Sequence, residues 1–393
     1  MAILETDAGP VVRSPAFGLP LSVAVALIPV AFAVVGLVVR YLAYAAMAPD
    51  ASLAGFPVGV CRWDCEWYVH IAERGYDAFP VPTMINAGNW AFFPLMPVFV
   101  GIVHAVVPMI PTMTLATALS IAISYATALL AWPLFERDLR GYALFSAYLL
   151  AGPFSIYFTT FMSEPMFILT GTGVLLALKR RQWLGAGVWS GLLSASRIVG
   201  VFMGLALLLQ ALLDHRATGK RASSFVPDLL RRPDIVLALV LAPLGAICYM
   251  AFLYWRMGDA LAFLHVQRAW SRPSGNPLAF LWQAVTSFPS GSWVPTAPQQ
   301  SGAAVVAGLV LTALLAWRRQ WAVALFCAIC LVAPLSAGMA STLRFTSALA
   351  PVVLLACSLL GRNRAVFALS LLGFLAANYF VTENWIGGAL SLA

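Results

Sequence analysis

Charged residues are scarce in this sequence. Asp, Glu, Lys and Arg together make up 10% of its 393 residues, whereas a soluble domain usually carries about 25% charged residues. Hydrophobic residues make up 62%, and apolar runs recur that approach the roughly 20 residues needed to cross a bilayer. The scarcity of charge excludes a soluble fold and predicts an all-α polytopic membrane protein.

Cysteines and histidines are also few. The chain has six cysteines, which are too few and too scattered for a disulfide scaffold. Cys327 and Cys330 form a CxxC motif inside an apolar run, which favours packing residues over a redox pair. Cys61 and Cys65 lie one helical turn apart with no pair of histidines nearby. We therefore expect neither a metal site nor another cofactor.

Glycine-rich phosphate-binding loops are absent. The segment "GAGVWSG" lacks the spacing and the strand context that dinucleotide and nucleotide loops require, so a cytosolic nucleotide-sugar donor is unsupported. The net charge is +8, but the basic residues form short clusters between apolar runs and line no aromatic face. This pattern favours membrane topology over nucleic-acid binding. We detect no internal repeat.

The basic clusters predict how the chain is oriented. If every cluster faces the cytoplasm, the number of crossings between neighbouring clusters must be even. That condition predicts about 11 transmembrane helices, and it turns the breaks "MSEP" and "SASR" towards the outside. We expect a bacterial inner (plasma) membrane protein whose site faces the periplasm or exterior. The clusters are Arg137/Arg140, Lys179 to Arg181, Arg216 to Arg232, Arg318/Arg319 and Arg362/Arg364.

The same count of membrane crossings divides the chain into segments. Residues 1–18 form a cytoplasmic tail, residues 19–257 a transmembrane module that includes an outer loop at 48–111, and residues 301–393 the C-terminal helices. Residues 90–108 are apolar, but the parity condition predicts that they lie along or dip into the outer face. The alternative, a true crossing there, would put the Lys179 cluster outside.

A second outer loop is expected at 258–300. Its prolines and glycines fit a plain connector. Its polar and aromatic residues fit a wall around a substrate equally well. Those residues are Gln267, Arg268, Trp270 and Arg272.

The first outer loop carries the densest group of functional candidates. The segment "CRWDCEWYVHIAERGYD" predicts an interfacial helix, because Trp and Tyr prefer the membrane–water boundary. Asp64 is either a catalytic carboxylate facing lipid headgroups or a helix N-cap. Glu66 either orients Asp64 or is merely solvated, and His70 is either a site residue or an interfacial histidine. The further candidate substrate contacts are Trp63, Trp67 and Tyr68.

Three more ionic residues lie at breaks between apolar runs. These are Glu164, Arg197 and Arg344. An ion at bilayer depth costs about 2.5–3.5 kcal/mol on insertion scales, so such groups pair with one another or line a cavity. Glu164 and Arg197 could be each other's partner. Arg344 has no acidic neighbour in the sequence and is the best candidate for binding a phosphate.

Together these residues would support sugar transfer from a polyprenyl-phosphate donor. Asp64 would remove the proton of an acceptor hydroxyl as general base, while the arginines stabilise charge on the departing phosphate. A lipid monophosphate carries less charge than a nucleotide diphosphate, so cationic side chains can replace a divalent metal ion.

Several motifs are similar to those of one family. Trp63-Asp64, Trp67-Tyr68, Ile71-Ala72 and Gly75-Tyr76 match its first-loop pattern, and "AFFPLMP", "PFSIYFTTFMSEPMF", "SASRIVG" and "STLRF" resemble its later blocks. The chain thus resembles the PIG-V-like mannosyltransferases of the GT-C superfamily over residues 62–346. It departs from the family pattern at Met162, Ile198-Val199 and Phe345.

The resemblance implies a GT-C fold and an inverting mannosyltransferase. It makes Asp64 the catalytic acidic residue and puts Glu164, Arg197 and Arg344 on family motif positions. The donor would be polyprenyl-phosphate mannose, and the acceptor an unidentified lipid or glycan. A flippase or transporter of a lipid-linked sugar is the alternative from another class, because charges at broken helices also mark transport pathways. A catalytically silent scaffold would leave Asp64 without a cationic partner.

Overall fold

The computed structural model describes residues 21–80, 87–270, 272, 275–287 and 296–389. Within these ranges the chain is helical and forms no β-strand. The expected cytoplasmic tail, residues 1–18, lies outside the described residues, as do Pro273 and Pro289 of the second outer loop.

The first part of the chain contains one long helix, two short helices and then three longer ones. In chain order they are α1 (Leu21–Met47), α2 (Phe56–Gly59), α3 (Cys65–Arg74), α4 (Leu95–Val106), α5 (Thr112–Ala131) and α6 (Leu139–Ala151). Short 3-10 turns occur at Asn89–Ala91 and Trp132–Phe135.

The middle of the chain folds into helical hairpins. The helices are α7 (Glu164–Lys179), α8 (Trp183–Ser196), α9 (Met203–Ala217), α10 (Phe225–Leu230), α11 (Pro233–Leu241) and α12 (Leu244–Met257). The 3-10 turns here are Ile198–Phe202 and Ala222–Ser224.

The last part begins with short helices and ends with longer apolar ones. They are α13 (Ala262–His265), α14 (Pro277–Thr286), α15 (Ala297–Trp317), α16 (Trp321–Val332), α17 (Thr342–Ser347), α18 (Ala350–Leu360) and α19 (Arg364–Ile386), with 3-10 turns at Val266–Trp270 and Ala333–Ala337.

Among the described residues, five helical stretches are long and apolar enough to cross a membrane, and there are six if α11 and α12, bent by 41°, form one span. Shorter apolar helices add Leu95–Val106, Trp321–Ala337 and Ala350–Leu360. Several apolar helices of this kind indicate a multi-pass membrane protein, which confirms the all-α membrane class. The five are Leu21–Met47, Thr112–Phe135, Ile198–Ala217, Ala297–Trp317 and Arg364–Ile386.

Helices α1 and α19 pack against each other and against α6. Their outer sides expose large apolar residues such as Val34 and Leu369, as expected of side chains in contact with lipid. The approach of α1 to α6 requires glycine at position 36, because a Cβ there would lie 1.9 Å from the Leu150 carbonyl oxygen. Small residues of this kind let membrane helices pack closely.

Helix α4 has 12 residues, so it is about 18 Å long at 1.5 Å per residue. That length is short of the roughly 30 Å hydrocarbon core, but α18 in the C-terminal part is shorter still, with 11 residues. The expectation that residues 90–108 lie along the outer face stays a prediction.

The described part of the second outer loop contains α13, a 3-10 turn and α14. The start of α14 is stabilised locally: the Asn276 side chain accepts a hydrogen bond from Leu278 N, and Pro277 follows at the first helical turn, where proline is well tolerated. Whether this loop is a connector or a wall around a substrate stays a prediction.

A short sequence repeat accompanies two of the hairpins. Arg-Arg-Gln-Trp joins α7 to α8 at 180–183 and α15 to α16 at 318–321. The second arginine is left-handed in both turns, with φ 55° at Arg181 and 62° at Arg319. Gln182 N then bonds Ala177 O, and Gln320 N bonds Leu315 O. This four-residue motif is too short to be the internal structural repeat that a transporter would show.

Candidate active site

A chain of buried ion pairs connects the ionic residues that the sequence left apart. Arg197 Nη2 lies 2.5 Å from Glu164 Oε1, the same oxygen lies 2.7 Å from Arg344 Nε, and Arg344 Nη2 lies 2.5 Å from Asp64 Oδ2. The order is thus Arg197, Glu164, Arg344, Asp64. Two arginines and two carboxylates from four segments meet at one point.

The predicted helix breaks position Glu164 and Arg197. Glu164 is the first residue of α7, where a negative charge is favoured by the helix dipole. Arg197 has an extended backbone between α8 and the 3-10 turn that follows, and its Nε donates to Ser163 Oγ at 3.0 Å. The sequence prediction that "MSEP" and "SASR" interrupt helices is confirmed, and the suggested Glu164–Arg197 pair exists.

Arg344 comes from α17, a helix of six residues. The sequence offers it no nearby acid, but the fold supplies two, of which Asp64 is 280 residues away. A pairing over that distance depends on how α3 and α17 are brought together, which local sequence does not encode.

Asp64 is the most exposed member of the chain of ion pairs. The side chains of Glu164, Arg344 and Arg197 are 0%, 5% and 10% exposed, whereas the Asp64 side chain is 29% exposed. A reacting group must be reachable, so Asp64 is the best placed of the four to react with a substrate. Arg344 links it to the buried side chains.

Two guanidinium nitrogens of the cluster are unused. Arg344 Nη1 and Arg197 Nη1 are buried and have no hydrogen-bond partner among the described residues. Arg344 Nε is within ion-pair distance of Glu164 but is not aligned for a hydrogen bond. Buried polar groups are almost always satisfied, so unused cationic donors beside an accessible carboxylate suit an anionic ligand.

Asp64 occupies the N-cap position of α3 but does not cap the helix. Its side chain accepts no capping hydrogen bond and accepts one from Arg344 instead. The alternative interpretation of Asp64 as a helix cap is therefore wrong.

The backbone on both sides of the site is strained. Trp63, directly before Asp64, has φ 57°, and Ser341, directly before α17, has φ 63°. Non-glycine residues in this region cost of order 1–3 kcal/mol each and cluster at functional sites. The Trp63 indole Nε1 is also buried without a partner in the described part of the chain.

A disulfide joins Cys61 to Cys65, and it encloses Trp63 and Asp64. Sequence reasoning missed it, because six dispersed cysteines did not suggest a scaffold. The available signal was the four-residue spacing within one helical turn. The bond ties the start of α3 to the preceding loop.

Removing this disulfide is expected to lower stability. In the chain-entropy model, cross-linking so short a loop contributes about 2 kcal/mol, so the double variant Cys61→Ser/Cys65→Ser should melt at a lower temperature than the wild type. Cys248→Ser, which removes an exposed free cysteine, is the matched control. Equal melting temperatures for the double variant and the control would contradict the prediction.

Aromatic residues of α3 form a wall beside the cluster. Trp67 is buried and stacks on Phe92 at 5.6 Å between ring centroids. It also contacts Trp270 edge-on at 5.8 Å, which connects α3 to the second outer loop. Burial raises the pKa of the Tyr68 hydroxyl, and the negative charge of Asp64 acts in the same direction. Tyr68 therefore faces the site as a neutral hydrogen-bond donor.

A further aromatic residue packs against the arginines. The Arg197 guanidinium lies over the Phe345 ring at 4.6 Å from its centroid, and the Arg344 guanidinium lies 5.8 Å from the same ring. Phe345 is one of the departures from the family pattern. Cation–π contact of this kind is attractive, because the ring face carries partial negative charge.

Three predicted site residues are not joined to the cluster. His70 Nε2 pairs with Asp77 Oδ1 at 3.2 Å, and Gln267 Nε2 donates to the Phe263 carbonyl at 3.3 Å. Glu66 is exposed on α3, and residues two apart do not share a helix face. It is therefore not placed to orient Asp64, and substrate roles for the three residues stay predictions.

Arg272 adds a third cation from the second outer loop. Its Nη2 lies 3.4 Å from Ser341 Oγ. Burial lowers the pKa of Arg272, while the charge of Asp64 raises it and that of Arg344 lowers it. With Arg272, the site holds three arginines against two carboxylates, which leaves a net positive charge.

No protein-family model and no curated protein matches this chain. Within the described ranges, no group of three or more His, Cys, Asp or Glu side chains could hold a metal ion.

Proposed function

We propose that this protein is an inverting glycosyltransferase of the GT-C type. It would move a sugar, mannose according to the family resemblance, from a polyprenyl-phosphate donor to an acceptor hydroxyl at the outer membrane face. The observation that carries the proposal is an accessible carboxylate, Asp64, paired with the buried Arg344, which Glu164 links to Arg197. Both arginines have a buried Nη1 without a hydrogen-bond partner among the described residues.

The proposed reaction needs one base and one anion site. Asp64 takes the proton of the acceptor hydroxyl, the acceptor oxygen bonds the anomeric carbon, and the bond from that carbon to the phosphate oxygen breaks. The electron pair leaves with the polyprenyl phosphate. Arg344 and Arg197 stabilise its negative charge through planar guanidinium donors.

Arg344 is suited to contact both reacting partners. Its Nη2 holds Asp64, and its Nη1 is unused. A phosphate at Nη1 and a base at Nη2 would both be held by one rigid guanidinium. In a displacement with inversion, the acceptor oxygen approaches the anomeric carbon from the side opposite the departing phosphate.

The outer-face location has independent support. Disulfides form and persist in oxidising compartments, and the Cys61–Cys65 bond lies in the loop that carries Asp64. Helix α7 begins with Glu164 and ends at Lys179, next to a basic cluster, as expected if its two ends face opposite sides.

The two alternatives, a silent scaffold and a lipid-linked-sugar transporter, predict different features of the site. A silent scaffold predicts an Asp64 without a cationic partner, whereas Arg344 pairs with it. A lipid-linked-sugar transporter is favoured by one observation, the charges at the helix breaks of Glu164 and Arg197, because broken helices also line transport pathways. It requires no covalent change in the sugar donor.

The test is a transfer assay with purified protein. Radiolabelled polyprenyl-phosphate mannose is incubated with extracted membrane lipids and glycans in chelator, and labelled product is measured. Incorporation would support the enzyme and identify the acceptor. Folded protein that moves the labelled donor across vesicle membranes but leaves it intact with every acceptor pool would replace this proposal by the transporter.

Arg272 is expected to contribute to donor binding. Losing one charge-assisted contact of about 1.5–3 kcal/mol should raise the KM for the donor about tenfold or more in Arg272→Gln. The melting temperature should stay unchanged, because the hydrogen bond from Arg272 to Ser341 is long, at 3.4 Å. Arg268→Gln, on the same loop, is the comparison. An unchanged KM in Arg272→Gln would remove Arg272 from the donor site.

A further inference from the structure

A second cavity lies away from the Asp64 cluster. It has a volume of about 470 Å³ and is formed where the α7–α8 turn meets the end of α9, α10 and the start of α11. Ligand pockets usually measure about 300–1,000 Å³, so this cavity can hold a small headgroup. None of its lining residues belongs to the candidate active site.

The helices place this cavity at the opposite end of the fold from Asp64. Glu164 begins α7 and Arg181 follows the end of that helix, which at 16 residues is about 24 Å long. Helix α8 runs back from Trp183, which lines the cavity, towards Arg197 of the Asp64 cluster. The two sites therefore lie near opposite membrane surfaces.

Positive charge exceeds negative charge in the cavity lining. Asp228 lies within ion-pair distance of three side chains. These are Lys220, with Nζ at 2.7 Å, His215, with Nδ1 at 3.6 Å, and Arg231, with Nη1 at 3.8 Å. The hydrogen bond from Lys220 lowers the pKa of Asp228, so this carboxylate is fully ionised at neutral pH. It neutralises one of these charges. The charged lining residues are Arg181, Lys220, Arg231 and Arg232 against Asp214 and Asp228.

The other carboxylates near the cavity do not neutralise all of its excess positive charge. Asp214 accepts a hydrogen bond from the neutral Gln210, and Asp234 pairs with Arg232 at 2.8 Å. Arg181 makes no ion pair within the described part of the chain. The cavity thus retains cationic side chains for an external anion.

Apolar side chains are exposed on the rim of this charged cavity. On α10, Val226 is 60% exposed and Leu230 is 69% exposed, while Phe225 and Leu229 of the same short helix line the cavity. Exposed aliphatic residues beside a basic cluster are typical of the interface between a membrane and water. A free anion would gain nothing from them.

We infer that the cavity binds the phosphate of an anionic phospholipid in the leaflet opposite Asp64. Arg181, Lys220 and Arg231 contact the phosphate, and the acyl chains pass over Val226 and Leu230. Basic pockets at helix ends recognise lipid headgroups by this combination of charge and apolar contact. The inference does not depend on the proposed sugar transfer.

The test compares three probes on the purified full-length protein in neutral detergent. Binding to the folded state raises the melting temperature. A short-chain phosphatidylglycerol should raise it, whereas phosphatidylcholine of equal chain length and inorganic phosphate should not. An equal shift with both lipids would overturn the charge recognition, and an equal shift with inorganic phosphate would overturn the lipid assignment.

A matched pair of variants locates the site. Arg181→Gln should weaken phosphatidylglycerol binding about tenfold through loss of a charge-assisted contact. Arg319→Gln, at the same left-handed position of the second Arg-Arg-Gln-Trp turn, should bind like the wild type. Equal weakening in both would show non-specific attraction and overturn the site. If Arg181→Gln does not fold, the three-probe comparison on the wild type decides alone.

Discussion

Asp64→Asn is expected to lose sugar transfer by about a hundred- to ten-thousand-fold, the usual contribution of a general base. Asparagine has nearly the same shape and can still accept a hydrogen bond from Arg344, but it cannot take a proton from the acceptor hydroxyl. The loss should therefore be in kcat, with little change in melting temperature. Initial rates of mannose transfer with saturating donor measure this directly.

Glu73→Gln is the control for this variant. Glu73 is an exposed carboxylate on the same helix α3, so its replacement makes the same chemical change away from the arginine cluster. Transfer by Glu73→Gln should equal that of the wild type. Full turnover in a folded Asp64→Asn protein would show that another group accepts the proton.

Glu164→Ala is expected to have the largest effect on stability. Glu164 is fully buried and lies within ion-pair distance of both Arg197 and Arg344. Breaking a buried ion pair by removing one partner usually costs about 3–5 kcal/mol, because the remaining charge is buried without compensation. The variant should melt at a clearly lower temperature or fail to accumulate in the membrane.

Three further variants test whether the uncompensated buried charge, and not the loss of a side chain as such, lowers the stability. Glu136→Gln removes the carboxylate of an exposed pair with Lys179 at 2.6 Å, and such surface pairs contribute about 0–1 kcal/mol. Glu164→Leu combined with Arg197→Met should be more stable than Glu164→Leu alone, since it removes an unpaired charge together with its partner. A double variant no more stable than the single one would exclude charge burial as the cause.

The positions of two helix breaks were predicted correctly from the cost of burying charge. Glu164 and Arg197 interrupt apolar runs, so the sequence alone indicates that each marks a helix break and needs a partner. The structure confirms both breaks and their pairing. A helix after Asp64 was also predicted, from the preference of Trp and Tyr for the membrane–water boundary, and the structure has α3 at that place.

Contacts between side chains that are far apart in the sequence could not be predicted from the cost of burying charge. Nothing in the sequence links Arg344 to Asp64, or Arg272 to Ser341. Glu66 and His70 resemble Asp64 in the sequence, but one is exposed and the other pairs with Asp77. Which side of α3 faces the arginines depends on the exact start of that helix and on the packing of Trp67 against Phe92 and Trp270.

The sequence by itself determined that this protein is helical and membrane-embedded, because an apolar chain in lipid must satisfy its backbone hydrogen bonds within each helix. It also indicated which ionic residues are costly to bury and therefore pair with one another or line a cavity. The tertiary structure alone decided that these residues form one connected group with an accessible carboxylate and unused arginine donors. Charge burial is a local property of the sequence, whereas charge pairing over 280 residues depends on how distant helices pack.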